Sequence, residues 1–306
     1  MNDNRVLRIL EISRMATHNG PGIRTMVHFK GCDLDCAWCS TPESRSFEKQ
    51  LSFLEKKCIR CGACAKACPK QAIAFDQNQG VSVKWKKCVN CFKCVRVCCS
   101  TAFSVIGQIY SAEELYREII KDRAFYKRSG GGVTFSGGEA LLHISEEMVK
   151  LLERLRRENI SIGFDTAGHV EQAVLEKVIP YTEFFLWDVK LIDDQAHKKY
   201  TGKGNEAILS NLRYVDQMGK DIYLRCPIIT GINDNDQHFQ GVMDLASQLK
   251  SLKEIHFLPF HRLGASRYHK IGLDDPYHGM KDVSRAYIME KQQAFIEAGH
   301  IAKIIG

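Results

Sequence analysis

The sequence predicts an α/β protein built on a parallel sheet, with a small cysteine-rich module set into it. Two observations carry that expectation. Apolar strand-like segments alternate with amphipathic helical ones over most of the 306 residues, the pattern of a parallel sheet, open or closed into a barrel. The alternation stops between about Leu51 and Phe103, where nine of the 13 cysteines lie among lysines and short apolar runs. A composition of 44% hydrophobic and 26% charged residues is ordinary for one large domain, or a domain plus a module.

Strands are expected where the chain reads LRILEI (7–12), TMVHFK (25–30), GVTF (132–135), SIGFD (161–165), FFLWDVK (184–190), IYLRC (222–226), EIHFLP (254–259) and IAKII (301–305). A helix over 112–128 follows a capping box, Ser111 with Glu114. Another over 146–158 follows Ser145 and has acidic residues in its first turn, where they suit the helix dipole. Further helices are expected over 170–178, 205–218, 236–250 and 282–298. The organisation is then residues 1–50, an insert over 51–104, and 105–306. In parallel-sheet folds ligands gather at the C-terminal ends of the strands.

No window approaches the roughly 18 apolar residues of a membrane helix, and MNDNRVLRIL lacks the apolar run of a secretory signal. A cytoplasmic protein without a membrane partner is expected. The formal charge of +7 permits an acidic partner or an anionic cosubstrate, and nothing calls for nucleic acid. Twelve of the 13 cysteines fall between Cys32 and Cys99. A reducing compartment disfavours disulfides, and such clustering points to metal.

Inside the insert two runs repeat as C-x2-C-x2-C-x3-C: Cys58, Cys61, Cys64, Cys68, and Cys88, Cys91, Cys94, Cys98. That spacing lets three thiolates wrap one [4Fe–4S] cubane while the fourth reaches across to a second. The expected sets are Cys58, Cys61 and Cys64 with Cys98, and Cys88, Cys91 and Cys94 with Cys68. Zinc knuckles use C-x2-C pairs set further apart and need no third cysteine three residues on, so two clusters are preferred to zinc. The run resembles a bacterial two-cluster ferredoxin. It departs in its second half, where Cys99 replaces the usual proline; Cys98 fits the spacing, and the choice of ligand between Cys98 and Cys99 is open.

Upstream, Cys32, Cys36 and Cys39 form C-x3-C-x2-C, with Trp38 before the last cysteine. Three thiolates on a cubane leave one iron free for a group that binds and reacts. The motif resembles the cluster loop of radical S-adenosylmethionine enzymes. HNGPGIRT (18–25), PES (42–44), GGGVTFSGGE (130–139), LWDVK (186–190) and LPFHRLG (258–264) together resemble the glycyl-radical-enzyme activating enzymes, over essentially the whole chain. The insert places it with members that carry auxiliary clusters.

The resemblance implies a partial (β/α)6 barrel of radical S-adenosylmethionine type with a bacterial-ferredoxin-like insert. It implies three [4Fe–4S] clusters, one site-differentiated and two auxiliary, and S-adenosylmethionine as cosubstrate. It implies an oxidoreductase that works anaerobically. The enzyme would cleave the cosubstrate reductively to a 5′-deoxyadenosyl radical, which takes hydrogen from a glycine of a partner glycyl radical enzyme. By resemblance Gly137, Gly138 and Glu139 take the cosubstrate's amino group, and Lys190 approaches the cosubstrate. Asp188, Asp165 and Thr166 hold a monovalent cation near its carboxylate, Arg225 holds that carboxylate, and His238 stands nearby. A flavodoxin or ferredoxin as electron donor and a monomeric state are expected. Asn19 in place of aspartate and Thr41 in place of asparagine depart from the family pattern. Arg24 either caps the sheet or meets the partner's loop, and Cys226 is read as a buried apolar residue. Two other readings remain: an electron-transfer protein, which leaves the three-cysteine loop unexplained, and a radical enzyme acting on a small molecule or peptide.

Overall fold

A computed structural model describes residues 6–277 and 279–305; residues 1–5, at the start of the segment read for a secretory signal, lie outside it. The chain begins with an antiparallel pair, β1 (Leu7–Ala16) and β2 (Arg24–Phe29). The insert follows as β3 (Gln50–Phe53), α1 (Ala63–Ala67), β4 (Ile73–Asp76), β5 (Gly80–Val83), α2 (Lys93–Arg96) and β6 (Phe103–Ile106). A short β7 (Gln108–Tyr110) returns to pair with β1. Then come α3 (Ala112–Ile120), α4 (Arg123–Ser129), β8 (Gly132–Gly137), α5 (Glu146–Arg157), β9 (Ser161–Thr166), α6 (Gln172–Val178) and β10 (Phe184–Asp188). The last part is α7 (Asp194–Thr201), α8 (Glu206–Gln217), β11 (Asp221–Ile228), α9 (Asp236–Gln248), β12 (Leu252–Pro259), α10 (Ala265–His269), α11 (Arg285–Glu297) and β13 (Ala302–Ile304).

Among the described residues the main sheet has the order β13-β12-β11-β10-β9-β8-β2-β1-β7. From β2 through β13 every neighbouring pair is parallel, and β1 and β7 extend it antiparallel at one edge. The sheet does not close: β13 and β7 are its two ends. Alternation along each strand divides its faces. Val133 and Phe135, Ile162 and Phe164, Phe185 and Trp187, Leu224 and Cys226, and Ile255 and Phe257 join helix residues such as Leu151, Leu155, Leu212 and Val242 in one core. Each fully buried side chain of that size contributes roughly 1.5–3 kcal/mol. The opposite face carries Arg24, Thr134, Ser136, Asp165, Asp188 and Arg225 beside apolar residues such as Met26, Phe184 and Leu186. No helix among those described is long and apolar enough to cross a membrane.

The helix expected over 112–128 is two. The capping box at Ser111 starts α3 as expected, but Asp122 breaks the run. Its carboxylate is held by the hydroxyl of Thr25 at 2.5 Å and by Arg14 at 2.6 Å, which ties the backbone there to β1 and β2. Arg24 resolves toward the sheet. It is wholly buried, donates to the hydroxyls of Thr134 (2.7 Å) and Ser161 (3.2 Å), and lies over the Phe184 ring.

The insert repeats itself with a period of 30 residues. β3 and β5, β4 and β6, and α1 and α2 are related by that shift. So are the left-handed residues Arg60, Gly62 and Gln71 with Asn90, Phe92 and Thr101. The halves interlock, β3 pairing with β6 and β4 with β5. The insert sits on the larger sheet through a Phe53 N–H to Lys270 carbonyl bond and the Gln50 side chain on Lys30.

Candidate active site

The loop after β2 carries Cys32, Cys36 and Cys39, and it is pinned from several sides. The N–H groups of Asp35 and Ala37 donate to the carbonyls of Thr201 and Tyr200 at the end of α7. Gly31 and Cys32 N–H groups donate to the carbonyls of Ser44, which ends the PES turn, and Arg45, which follows it. Glu43 of that turn is buried and paired with Lys270 (3.0 Å) and Arg267 (3.3 Å). Tyr268 and Tyr277 both donate their hydroxyls to the Cys39 carbonyl, at 2.8 and 2.6 Å. Trp38 packs with Leu191, Ile229 and Phe260, the last from the LPFHRLG segment.

Held this way, the three thiols face one cavity of about 340 Å³. Its other walls are the C-terminal ends of the parallel strands: Ser136, Gly137 and Gly138 from β8, Asp165 and Thr166 from β9, Asp188 and Lys190 from β10, and Arg225 from β11. Asn19, Trp38 and Thr41 line it too, so both departures from the family pattern face the same space. Glycine is required at the end of β8. Gly137 has φ +110°, and a Cβ there would lie 2.3 Å from the Phe29 nitrogen. A Cβ on Gly138 would lie 2.2 Å from the Gly31 carbonyl oxygen, at the base of the cysteine loop.

Two acids and two bases meet on the polar wall. Lys190 donates to Asp188 at 2.6 Å, and Arg225 lies 3.5 Å from Asp165 and 3.9 Å from Asp188. Ser136 donates to Asp165 at 2.8 Å. Burial opposes the charge on Lys190, but Asp188 and the nearby cysteines outweigh it and hold the ammonium above its ordinary range. Burial pushes the Cys36 thiol up to about 11 and Cys32 up to about 12. All three cysteines are unbridged. A triad of soft, desolvated thiols around an open cavity fits a [4Fe–4S] cluster, whose binding displaces the thiol protons.

Glu139 and His238 stand outside this lining. The Glu139 carboxylate accepts from the Thr166 hydroxyl (2.7 Å) and the Ala167 N–H (3.0 Å), so it braces the end of β9. His238 lies on α9, where the Asn235 side chain caps its N–H, and it is buried beside Phe239. Neither of its ring nitrogens has a hydrogen-bond partner among the described residues, and burial drops it to about 4. The structure does not bring it to the cavity. Several lining residues escaped sequence reasoning, among them Leu34, Arg45, Ala167 and Pro227 and, on the strands, His28 and Ser136. His28 shares one face of β2 with Arg24, four residues before it, and Ser136 precedes the Gly-Gly pair. Strand parity was the signal for both.

In the insert, one cleft is lined by Cys58, Cys61, Cys64 and Cys98, and another by Cys68, Cys88, Cys91 and Cys94. Cys98 lines the first and takes the Phe103 N–H at 3.5 Å, whereas Cys99 is exposed. Cys226 is fully buried in the core.

A family model described as a 4Fe-4S single cluster domain matches residues 18–209. The trans-4-hydroxy-L-proline dehydratase activating enzyme of Clostridioides difficile is 40% identical over 86% of this chain and 87% of its own. The choline trimethylamine-lyase activating enzyme of Oleidesulfovibrio alaskensis is 37% identical, covering 91% of each. A radical SAM methyltransferase structure from Sphaerobacter thermophilus superposes with a TM-score of 0.54 at 13% identity, over 97% of this chain and 76% of that one. That last likeness concerns the fold alone.

Proposed function

The chain belongs to the family of glycyl-radical-enzyme activating enzymes, and from that membership we propose how its own residues serve the reaction. It activates a glycyl radical enzyme by radical S-adenosylmethionine chemistry. Cys32, Cys36 and Cys39 hold the site-differentiated [4Fe–4S] cluster. With the cluster bound, an electron delivered through it splits S-adenosylmethionine to methionine and a 5′-deoxyadenosyl radical, which takes a hydrogen atom from a glycine Cα of the partner. The observation that carries this reading is the single cavity shared by the three thiols and the paired charges of Asp165, Asp188, Lys190 and Arg225.

The flanking residues bind and orient. The backbone at Gly137 and Gly138 receives the methionyl amino group, since only glycine lets it approach so closely. Lys190 and Arg225 face the methionyl carboxylate, Arg225 with an Nε that has no hydrogen-bond partner among the described residues. Glu139 acts through Thr166 and Ala167. A monovalent cation beside Asp165, Thr166 and Asp188 belongs to the same proposal. Both carboxylates already face a cation, so that ion requires one of those contacts to open. Trp38, Leu34 and Leu258 line the cavity with apolar surface and exclude water.

The strands from β2 to β12, with β8 to β11 between, serve as the six strands of a partial (β/α)6 barrel. Residues 51–104 act as a ferredoxin-like domain with two auxiliary [4Fe–4S] clusters, held by the two sets of four cysteines that line its clefts. A cytoplasmic monomer reduced by flavodoxin or ferredoxin completes the reading. The test mixes the anaerobic, cluster-loaded protein with S-adenosylmethionine, a reductant and its glycyl radical enzyme. Electron paramagnetic resonance should then show a glycyl radical on the partner, matched by equal 5′-deoxyadenosine. Nucleoside formed with no partner radical, while a small molecule is converted, would sink the protein-substrate reading.

A further inference from the structure

The charge of this chain is not spread evenly. Ten of its 43 Lys and Arg residues, but two of its 36 Asp and Glu residues, lie in 51–104. The insert therefore carries +8, and the rest of the chain −1, of the total +7. All ten basic side chains of the insert are exposed. Among the described residues none of them takes part in an ion pair.

Ile59 is 63% exposed and lines the cleft of Cys58, Cys61, Cys64 and Cys98. Val89, its equivalent 30 residues on, is 57% exposed and lines the cleft of Cys68, Cys88, Cys91 and Cys94. Each cysteine cleft thus meets solvent beside a bare aliphatic side chain. Lys56, Lys57 and Arg60 flank the first in sequence, and Lys86 and Lys87 the second. A small apolar spot with a charged surround suits brief, salt-sensitive encounters, in which charge speeds capture and the contact stays small enough to release.

We propose that the insert, through these exposed basic residues, docks an acidic, low-potential electron-carrier protein, bringing its redox centre beside the cysteine clefts. The proposal rests on the reading that the insert holds two [4Fe–4S] clusters. In each encounter the reduced carrier loses one electron and an insert cluster gains it, with no bond made and no proton moved. One such electron would be needed for each S-adenosylmethionine split at the three-cysteine site. The glycyl radical enzyme is a less suitable occupant. Its glycine must reach the cavity at Cys32, Cys36 and Cys39, whereas the basic residues stand next in sequence to the cysteines of the insert's own clefts, and Lys70 lines one of them.

The test uses the cluster-loaded protein and an acidic plant-type ferredoxin, reduced beforehand, with ferredoxin reoxidation followed by stopped flow. The wild-type rate constant should fall steeply as salt rises. Lys56→Gln, Lys57→Gln, Lys86→Gln and Lys87→Gln together should lower it about tenfold at low salt and flatten the salt slope. The same four positions changed to Arg should leave it unchanged. Iron content, and 5′-deoxyadenosine formed with photoreduced deazaflavin in place of ferredoxin, should match wild type in both variants. A wild-type rate indifferent to salt overturns the proposal, even if the Gln set fails to fold. So does a Gln variant that reoxidises ferredoxin as fast as wild type, or one that loses affinity for the glycyl radical enzyme instead. If wild type itself loads only about four irons, one cubane's worth, the two-cluster reading of the insert fails, and the docking proposal fails with it.

Discussion

The Glu139 carboxylate is wholly buried behind the cavity wall, where three donors face it: the Thr166 hydroxyl and the N–H groups of Ala167 and Leu141. Burial outweighs those donors and raises the group from its ordinary 4.5 to about 7. The folded chain therefore keeps a proton that the unfolded chain releases. Stability is fullest below pH 4.5 and declines as pH rises through about 7, by roughly 3 kcal/mol from this group. Glu139→Gln removes the titration. Urea unfolding of the metal-free protein at pH 5 and pH 7.5 should show a smaller loss of stability in the variant than in wild type; equal losses contradict the assignment. The sequence placed Glu139 beside a strand end but not the direction of its side chain. The GGE motif marks the segment, and only the packing reveals that Glu139 grips β9 while the two glycines face the cavity. For Cys98 and Cys99 the reverse holds. Spacing leaves both in play, and the side chains part: Cys98 lines the cleft with Cys58, Cys61 and Cys64, and Cys99 does not.

At the scale of elements, the cysteine loop depends on partners distant in sequence. Tyr268 and Tyr277 reach back more than 220 residues to one carbonyl, that of Cys39. Burial pushes Tyr277 up to about 12 and Tyr268 higher still, so both hydroxyls remain donors throughout the working range. Removing one leaves the carbonyl satisfied; removing both strands it, at a cost of about 1–3 kcal/mol. Tyr268→Phe with Tyr277→Phe should therefore lose its capacity to form 5′-deoxyadenosine faster under a chelator, while each single variant holds near wild type. A double variant as durable as wild type would show the clamp to be idle. Strands of the large sheet were legible because their apolar residues alternate with period two. α7 was missed because its buried face is His197 and Thr201, which form no apolar stripe. The helix over 112–128 was read as continuous because nothing local announces that Asp122 is held by Thr25 and Arg14.

The whole molecule joins two bodies of opposite character. The larger one places thiols and paired charges where its parallel strands end. The smaller one repeats a 30-residue unit and carries the chain's surplus of positive charge. Cysteine spacing made both sites legible, since it is local and survives any uncertainty in the fold. The braces between the two bodies were not legible. They join Phe53 to Lys270, and set the Trp85 ring so close to Gly272 that a Cβ there would lie 2.0 Å from it. The central claim is that the three-cysteine site is where S-adenosylmethionine is split. Its most direct test is anaerobic: load the clusters, reduce the protein, add S-adenosylmethionine and quantify 5′-deoxyadenosine by mass spectrometry, beside Cys36→Ala. Nucleoside from wild type and none from the variant, with the insert's iron intact in both, is the predicted result. No nucleoside from a wild-type protein shown to be fully loaded and reduced, or equal amounts from the two, would contradict it.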